Sequence, residues 1–477
     1  MATVLGVDSS TQATKVELRD ADTGSLLASG RTAHPATTPP RSEQDPSAWW
    51  SAFEAALADA GHPTYDAVSV AGQQHGMVVL DEAGEVLRPA KLWNDTESAP
   101  DADWLVSQLH GGPAAWAAAC GSVPVAAFTI TKLSWLHRTE PDVFDRVAHV
   151  LLPHDWLTWR LTGEFVTDRG DASGTGYWSP AEGRYRHDLL AMVDPTKDWP
   201  AIVPRVLDPL ASLPVRDERG RIVACGTGDN MAAALGLGVG PGDVCVSVGT
   251  SGTVFGVTDQ PTADQTGAVA GFADATGRFL PLVCTLNATK VTDTIGRLLG
   301  VDHEELDALA LEAPAGAGAS GLTLVPYFDG ERTPNRPDAS GSLTGLRTDT
   351  SRQQVARAAV EGVVCGLIDG LDALGAAGVT TPVRGGDGRL FMVGGGARSR
   401  AYRQVLADLT GHPIRVPAAR ELVTLGACVQ AAAALHQTPA KEVFGAWDVG
   451  EGAVTDPTPG SAQYAEAVRA AYARARG

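Results

Sequence analysis

A short apolar run that breaks into a polar turn and then resumes occurs once in each half of this 477-residue chain. In the first half Val4–Val7 ends in Asp8–Ser9–Ser10–Thr11, and Lys15–Leu18 follows. In the second half Cys245–Val248 ends in Gly249–Thr250–Ser251–Gly252–Thr253, and Val254–Val257 follows. Each predicts a strand, a tight polar turn and a second strand. The echo suggests a duplicated architecture, although it is too short to establish a sequence repeat. Two further apolar runs lead into glycine and then into helical patterns. Leu390–Val393 precedes Gly394–Gly395–Gly396, followed by a helix with Tyr402, Val405, Leu406 and Leu409 on one face and Gly411 as its stop. Ile222–Cys225 precedes Gly226–Thr227–Gly228–Asp229–Asn230 and the alanine-rich helix Met231–Leu237. Val360, Val363, Val364, Leu367, Ile368 and Leu371 mark another core helix. Alternating strands and helices predict an α/β class.

The length allows two domains with a core each. The glycine-rich stretch Gly236–Gly242 divides the chain nearly in half and is the best boundary candidate; Ala313–Ser320 and Arg384–Gly388 read as surface connectors. A net charge of −19 argues against a general nucleic-acid binder, which needs a basic face, and against adhesion to an anionic membrane. The six cysteines form no CxxC pair and read as reduced core residues. The N-terminus lacks the basic and apolar regions of a signal peptide, and no apolar stretch is long enough to cross a bilayer. A cytoplasmic protein is expected.

Several groups suit chemistry on phosphates and polyols. A carboxylate at a strand end, as at Asp8, can reach a cation while the turn's amides and hydroxyls hold oxygens; an ordinary turn uses the same residues. Gly249–Thr253 can bring backbone amides close to an anion, and it can equally be a plain hairpin turn. Gly394–Ala397 lets a flat ligand approach the backbone, or lets a helix pack on a strand. No Walker A sequence is present. Asp229, at a helix start, is either an N-cap or a general base for a hydroxyl. Gln73–Gln74–His75–Gly76 and Trp93–Asn94–Asp95 offer amide, imidazole and carboxylate groups for a polyhydroxy ligand, and the spacing around His75 suggests no metal site.

Together these stretches resemble the FGGY carbohydrate kinases, from Val4 to about Ala434. The resemblance is carried by Arg41–Pro46 with Trp49–Trp50, Ala71–Gly76, Leu92–Asp95, Gly228–Asn230, Gly330–Pro334 and the signature over Gly341–Glu361. It implies two actin-like (ribonuclease H-like) domains with a cleft between them. Residues 1–240 would form the sugar-binding domain and 241–477 the ATP-binding one. The resemblance implies Asp229 as the catalytic base and Gln74, His75, Asp229 and Asn230 as sugar contacts. It also implies Ser10, Thr11, Gly249 and Thr250 at the phosphates, Gly395 and Ala397 at the nucleotide, and Asp8 towards Mg²⁺. ATP and D-xylulose are the expected substrates, with transfer to the 5-hydroxyl. The alternatives are another ketose or polyol, such as ribulose or glycerol, and a non-enzymatic actin-like ATP switch. Neither a nucleic acid nor a membrane is expected as a partner, and the sequence leaves assembly as a homodimer open.

The chain departs from the family pattern at three places. Ser10 replaces the glycine of a DxGT turn, Ala127 replaces a common glycine ahead of Lys132–Leu136, and Glu97 stands where an arginine is usual. A glutamate beside a transferring phosphoryl group would repel it, so Glu97 is expected to point outward.

Overall fold

Val4, Leu5, Val7, Val16, Val68 and Val70 are almost wholly buried, and they lie on strands covered on both faces. The computed structural model describes residues 1–209, 215–313, 321–447, 449–450 and 452–477. Of the connector expected at Ala313–Ser320, only Ala313 lies among these residues. The chain divides into two compact units. The first takes Met1–Val239, Asp259–Leu280 and Ala419–Val449; the second takes Gly240–Thr258, Pro281–Ala418 and Gly450–Gly477. Among the described residues, no helix is long and apolar enough to cross a membrane.

In the first unit Thr3–Ser9 and Ala13–Asp20 form the expected hairpin, in a register that pairs Asp8 with Lys15. Thr3–Ser9 also pairs in parallel with Ala67–Gly72, which pairs in parallel with Ile222–Val223 and then Thr227–Gly228. Leu26–Ala33 closes one edge against Ala13–Asp20. The helix Pro46–Asp59 packs on this sheet, and so does Leu422–His436. Asp45 caps the former, its side chain accepting from Ser47 N at 2.9 Å.

The second unit repeats the pattern. Val244–Val248 and Gly252–Gly256 form a hairpin, and Leu390–Val393 lies parallel to the first of these strands. Ile414–Val416 and then Ala453–Thr455 extend the sheet. The predicted core helix runs over Arg352–Ala376, started by a reciprocal cap between Ser351 and Gln354. The other predicted helix runs over Arg400–Thr410, and Gly411 ends it in the left-handed region. Each half thus holds a hairpin with a parallel strand beside its first strand.

One contact inside the first unit fixes where Asp229 sits. The helix Asp229–Leu237 lies against Leu422–His436 at backbone distance. A Cβ on Gly426 would stand 1.8 Å from Ala232 O, and one on Gly236 would stand 2.1 Å from Leu422 O. Any side chain would drive the helices apart. Gly426→Ala is therefore expected to lower the urea midpoint, by about 1–3 kcal/mol of overpacking less the smaller gain from helix propensity. Gly395→Ala, where a Cβ would meet nothing within 4 Å, should leave the midpoint unchanged. Equal midpoints for the two variants would contradict the close-packing explanation.

Candidate active site

Three strands of the first unit, Thr3–Ser9, Ala67–Gly72 and Thr227–Gly228, run parallel and end at the same edge of the sheet. Asp8, Gln73–Gln74–His75 and Asp229–Asn230 follow from those three ends. In open α/β sheets this carboxyl edge is where ligands bind. The sugar residues expected from the sequence are therefore brought together by the sheet itself.

The Asn230 amide donates to Gln74 Oε1 at 2.8 Å and to Asp229 Oδ1 at 3.0 Å, tying the Asp229 carboxyl to the Gln74 amide. Gly228, not Asp229, is the N-cap residue of the helix, and Asp229 occupies its first turn without making a side-chain cap bond. The alternative reading of Asp229 as the N-cap is therefore moved to Gly228 by the structure. Burial pushes the Asp229 carboxyl up to about 7, with Asp8 and Asp171 adding to the rise and Asn230 opposing it. Such a carboxyl can take up a proton near neutral pH.

His75 adopts φ = +66°, a region that non-glycine residues seldom occupy. Its ring lies 5.1 Å from Phe128 and 5.5 Å from Phe272, and Nδ1 bonds Gly174 O at 2.7 Å. A carbonyl oxygen only accepts, so Nδ1 carries a proton and donates in that bond. Gly174 is required here, because a Cβ at that position would stand 2.5 Å from the ring.

Asp8 faces Lys15 across the hairpin at 3.4 Å, and Lys15 Nζ also contacts Glu421 at 2.7 Å. Burial raises the Asp8 carboxyl to about 6 against the pull of Lys15. Its Oδ1 is buried without a hydrogen-bond partner. Gln73 Nε2, Gln74 Nε2, Asn94 Oδ1 and Asp171 Oδ1 share that condition. Buried polar atoms are rarely left unpaired, so a concentration of them within one unit marks a place that a polar ligand or water fills.

The turn after Asp8 is differently disposed. Ser10 directs both its N–H and its hydroxyl to Ala13 O, at 3.1 and 3.2 Å. Thr11 Oγ1 donates to Gln73 Oε1 at 3.2 Å and accepts from Trp93 Nε1 at 2.8 Å. In the second unit Gly249 N bonds Ser251 O at 3.0 Å, while Thr250 is exposed. Gly394 sits at φ = +85°, where a Cβ would stand 2.7 Å from Val248 O. Gly395 is open, and Ala397 is buried in the short turn Gly395–Arg398.

Two expectations need correction. Asp95 is not available to a sugar, because it accepts from Ser42 N at 2.9 Å, Lys91 Nζ at 3.0 Å and Glu97 N at 3.0 Å. Glu97 does not point outward; its carboxylate meets the fully buried Lys91 at 2.5 Å. Glu43, at 3.2 Å, completes the ring around Lys91. These three carboxylates approach one another closely enough for a metal ion, but the ammonium already takes that place. The Arg41–Pro46 segment is likewise scaffold. Gln44 accepts from Trp49 Nε1 at 2.7 Å and donates to Thr11 O at 3.1 Å, bracing the turn after Asp8.

Comparison with known proteins settles the family. The model of the FGGY family of carbohydrate kinases, N-terminal domain, matches residues 3–236, and that of the C-terminal domain matches residues 244–435. The chain belongs to the FGGY family of carbohydrate kinases. It is 47% identical over 462 residues to the xylulose kinase of Streptomyces coelicolor, covering 95% of this chain and 92% of that one. It is 33% identical over 450 residues to the xylulose kinase of Haemophilus influenzae, with 90% of each covered. Among solved structures, the xylulose kinase of Bifidobacterium adolescentis matches with a TM-score of 0.88 and 41% identity, covering 100% of this chain and 99% of that one. The fold is accordingly the actin-like (ribonuclease H-like) one of these kinases, and the enzyme transfers a phosphoryl group from ATP to a carbohydrate.

Several residues of this FGGY kinase escape sequence reasoning. Lys15 is recoverable from hairpin spacing, since a turn after Asp8 brings it opposite. Lys132, which donates to the carbonyls of Ala126, Ala127 and Phe128, sits in a recognised signature, but its buried role does not follow from it. Asp168 and Asp171 give no signal, because only the tertiary fold carries them to the strand ends. The ring around Lys91 gives a test. Lys91→Met leaves buried carboxylates without their cation and should cost about 3–5 kcal/mol. Glu97→Ala, which removes a partly exposed partner, should cost about 1 kcal/mol or less and leave turnover unchanged. Urea melts with steady-state kinetics check both. A tenfold loss of turnover in Glu97→Ala would make Glu97 part of the chemistry.

Proposed function

We propose that this enzyme phosphorylates the 5-hydroxyl of D-xylulose, with Asp229 as general base. The observation that carries the reading is the gathering of Asp8, Gln73, Gln74 and Asp229–Asn230 at three parallel strand ends, with Asp8 Oδ1 and Gln73 Nε2 buried and unpartnered. The names of the relatives support the choice of sugar. Gln74, His75 and Asn230 hold the sugar through its hydroxyls, and Phe128 and Phe272 fix the plane of the His75 ring. As the 5-oxygen bonds to the γ-phosphorus, its proton passes to the Asp229 carboxylate. The bond from that phosphorus to the β,γ-bridging oxygen breaks, and ADP leaves. Phosphoryl transfer draws mainly on positioning and electrostatics, so a fixed base is sufficient help.

On this reading the first unit, which takes Asp259–Leu280 and Ala419–Val449 besides Met1–Val239, carries the sugar, and the second carries the nucleotide. Gly249, Thr250, Gly395 and Ala397 serve the nucleotide, the first two at its phosphates. Ser10 and Thr11 reach phosphate oxygens only by giving up their present bonds within the turn. Asp8 suits Mg²⁺, since a buried carboxylate oxygen without a partner accommodates a cation or its bound water. When bound, the ion would neutralise charge on the phosphates.

Three measurements test this. A base must be ionised, so kcat/KM for D-xylulose should fall as pH drops through about 7, about tenfold per unit on the acid side. A flat profile between pH 5.5 and 8 would remove Asp229 from that role. Asp229→Asn keeps the shape and loses the acceptor, and its turnover should drop by ~10²–10⁴ while calorimetric D-xylulose binding weakens far less. Asp8→Asn should instead raise the Mg²⁺ concentration giving half-maximal rate; the same Mg²⁺ response in both variants would overturn the division of roles. Assayed by ADP release, D-xylulose should give the highest specificity constant among ketopentoses, pentitols and glycerol, because a site built to bond a hydroxyl rejects analogues lacking it. Preference for ribulose or glycerol would overturn the sugar assignment.

A further inference from the structure

Behind the proposed sugar site lies a charged cluster with no solvent contact. His154, in the first turn of the helix Pro153–Thr162, is fully buried among three carboxylates. Its Nδ1 lies 2.8 Å from Asp171 Oδ2, and its Nε2 lies 3.1 Å from Asp155 Oδ1 and 3.6 Å from Asp168 Oδ1. The backbone is cut away to admit the ring. Gly226 adopts φ = +73°, and a Cβ there would stand 2.6 Å from His154 Cδ2. Two of the carboxylates are tied towards the site and the third to the start of the His154 helix. Asp168 accepts from Thr227 Oγ1 at 2.7 Å, two residues before Asp229. Asp155 holds Leu152 N at 2.8 Å. Asp171 O accepts from Gly174 N at 2.9 Å, and Gly228, the residue after Thr227, packs against Gln74, where a Cβ on the glycine would stand 2.6 Å from Gln74 Cγ. Gly174, which receives the His75 ring bond, lies three residues beyond Asp171.

We propose that His154 is a positioning residue of the sugar site, its buried cation holding Asp171 and Asp168 so that Gln74, His75 and Asp229 are presented to the substrate in register. The proposal rests on the reading of those three as the sugar site. Without a cation between them, three buried carboxylates would repel one another. Burial alone would lower the His154 pKa, yet Asp155, Asp171 and Asp168 outweigh it and raise it, while burial in turn raises the carboxyls around it.

The test compares His154→Gln with His154→Lys in the full-length enzyme. Loss of the cation in His154→Gln should raise the KM for D-xylulose at least about tenfold and leave the KM for ATP within about twofold. His154→Lys, which keeps the charge, should recover most of that loss. Unchanged D-xylulose KM in His154→Gln, or an equal rise for both substrates, would overturn the proposal. Should His154→Gln fail to fold, ¹⁵N-histidine NMR of the wild-type enzyme decides instead, with the resonance assigned by its absence in His154→Lys. Both ring nitrogens should be protonated at pH 7 and should shift on addition of D-xylulose alone; a neutral ring, or one blind to the sugar, would overturn it. Asp229→Asn separates the two readings. Near-normal turnover in that variant removes the base assignment, whereas the KM pattern at His154 bears on positioning alone.

Discussion

Keeping ionisable carboxyls in a buried place is the constraint on which the rest of the first unit depends. Asp8 and Asp171 are buried and Asp229 is half-buried, and each bears a raised pKa because removal from solvent disfavours its charge. Two cations offset this from opposite sides. Lys15 answers Asp8 across the hairpin, and His154 answers Asp171 from the helix behind. At Asp229 the relief comes from the Asn230 amide and backbone N–H. Asp229, carried up to about 7, thus titrates near neutrality, as Asp155 does beside His154.

Backbone geometry serves that constraint. Three parallel strands deliver the polar groups to one edge, and the helix that starts with Asp229 is seated by glycine contacts with Leu422–His436. Glycines at 174 and 226 make room for the His75 and His154 rings. Lys91 and Lys132, both fully buried, brace the loops around the site, one through carboxylates and the other through carbonyls. Ordered loops supported this way can hold donors in place without rearranging as charge develops.

Much of this was legible in the sequence, for physical reasons. Both hairpins, the strand at 390–393 and the helices after 228 and 399 follow from apolar runs punctuated by glycine, which are local signals. The gathering of Asp8, Gln74, His75, Asp229 and Asn230 was legible through motifs at strand ends. Motif membership did not reveal what each residue does. Asp95 and Gln44 sit in recognised segments, yet one ties a loop and the other braces a turn. Glu97 was misjudged because its partner, Lys91, is a cation six residues earlier whose burial no local pattern announces. His154, Asp168 and Asp171 lie on short elements between 150 and 175, and they meet the site only through long-range packing.

The central claim is that the Asp229 carboxyl, just after the third strand, receives the proton of the sugar hydroxyl. A crystal structure of the enzyme with D-xylulose and a non-hydrolysable ATP analogue tests it most directly. The 5-hydroxyl should lie within about 3.2 Å of an Asp229 carboxylate oxygen, the reach of a hydrogen bond, with Gln74, His75 and Asn230 on the remaining hydroxyls. A sugar whose 5-hydroxyl is bonded to another group, with Asp229 turned away from it, would contradict that claim.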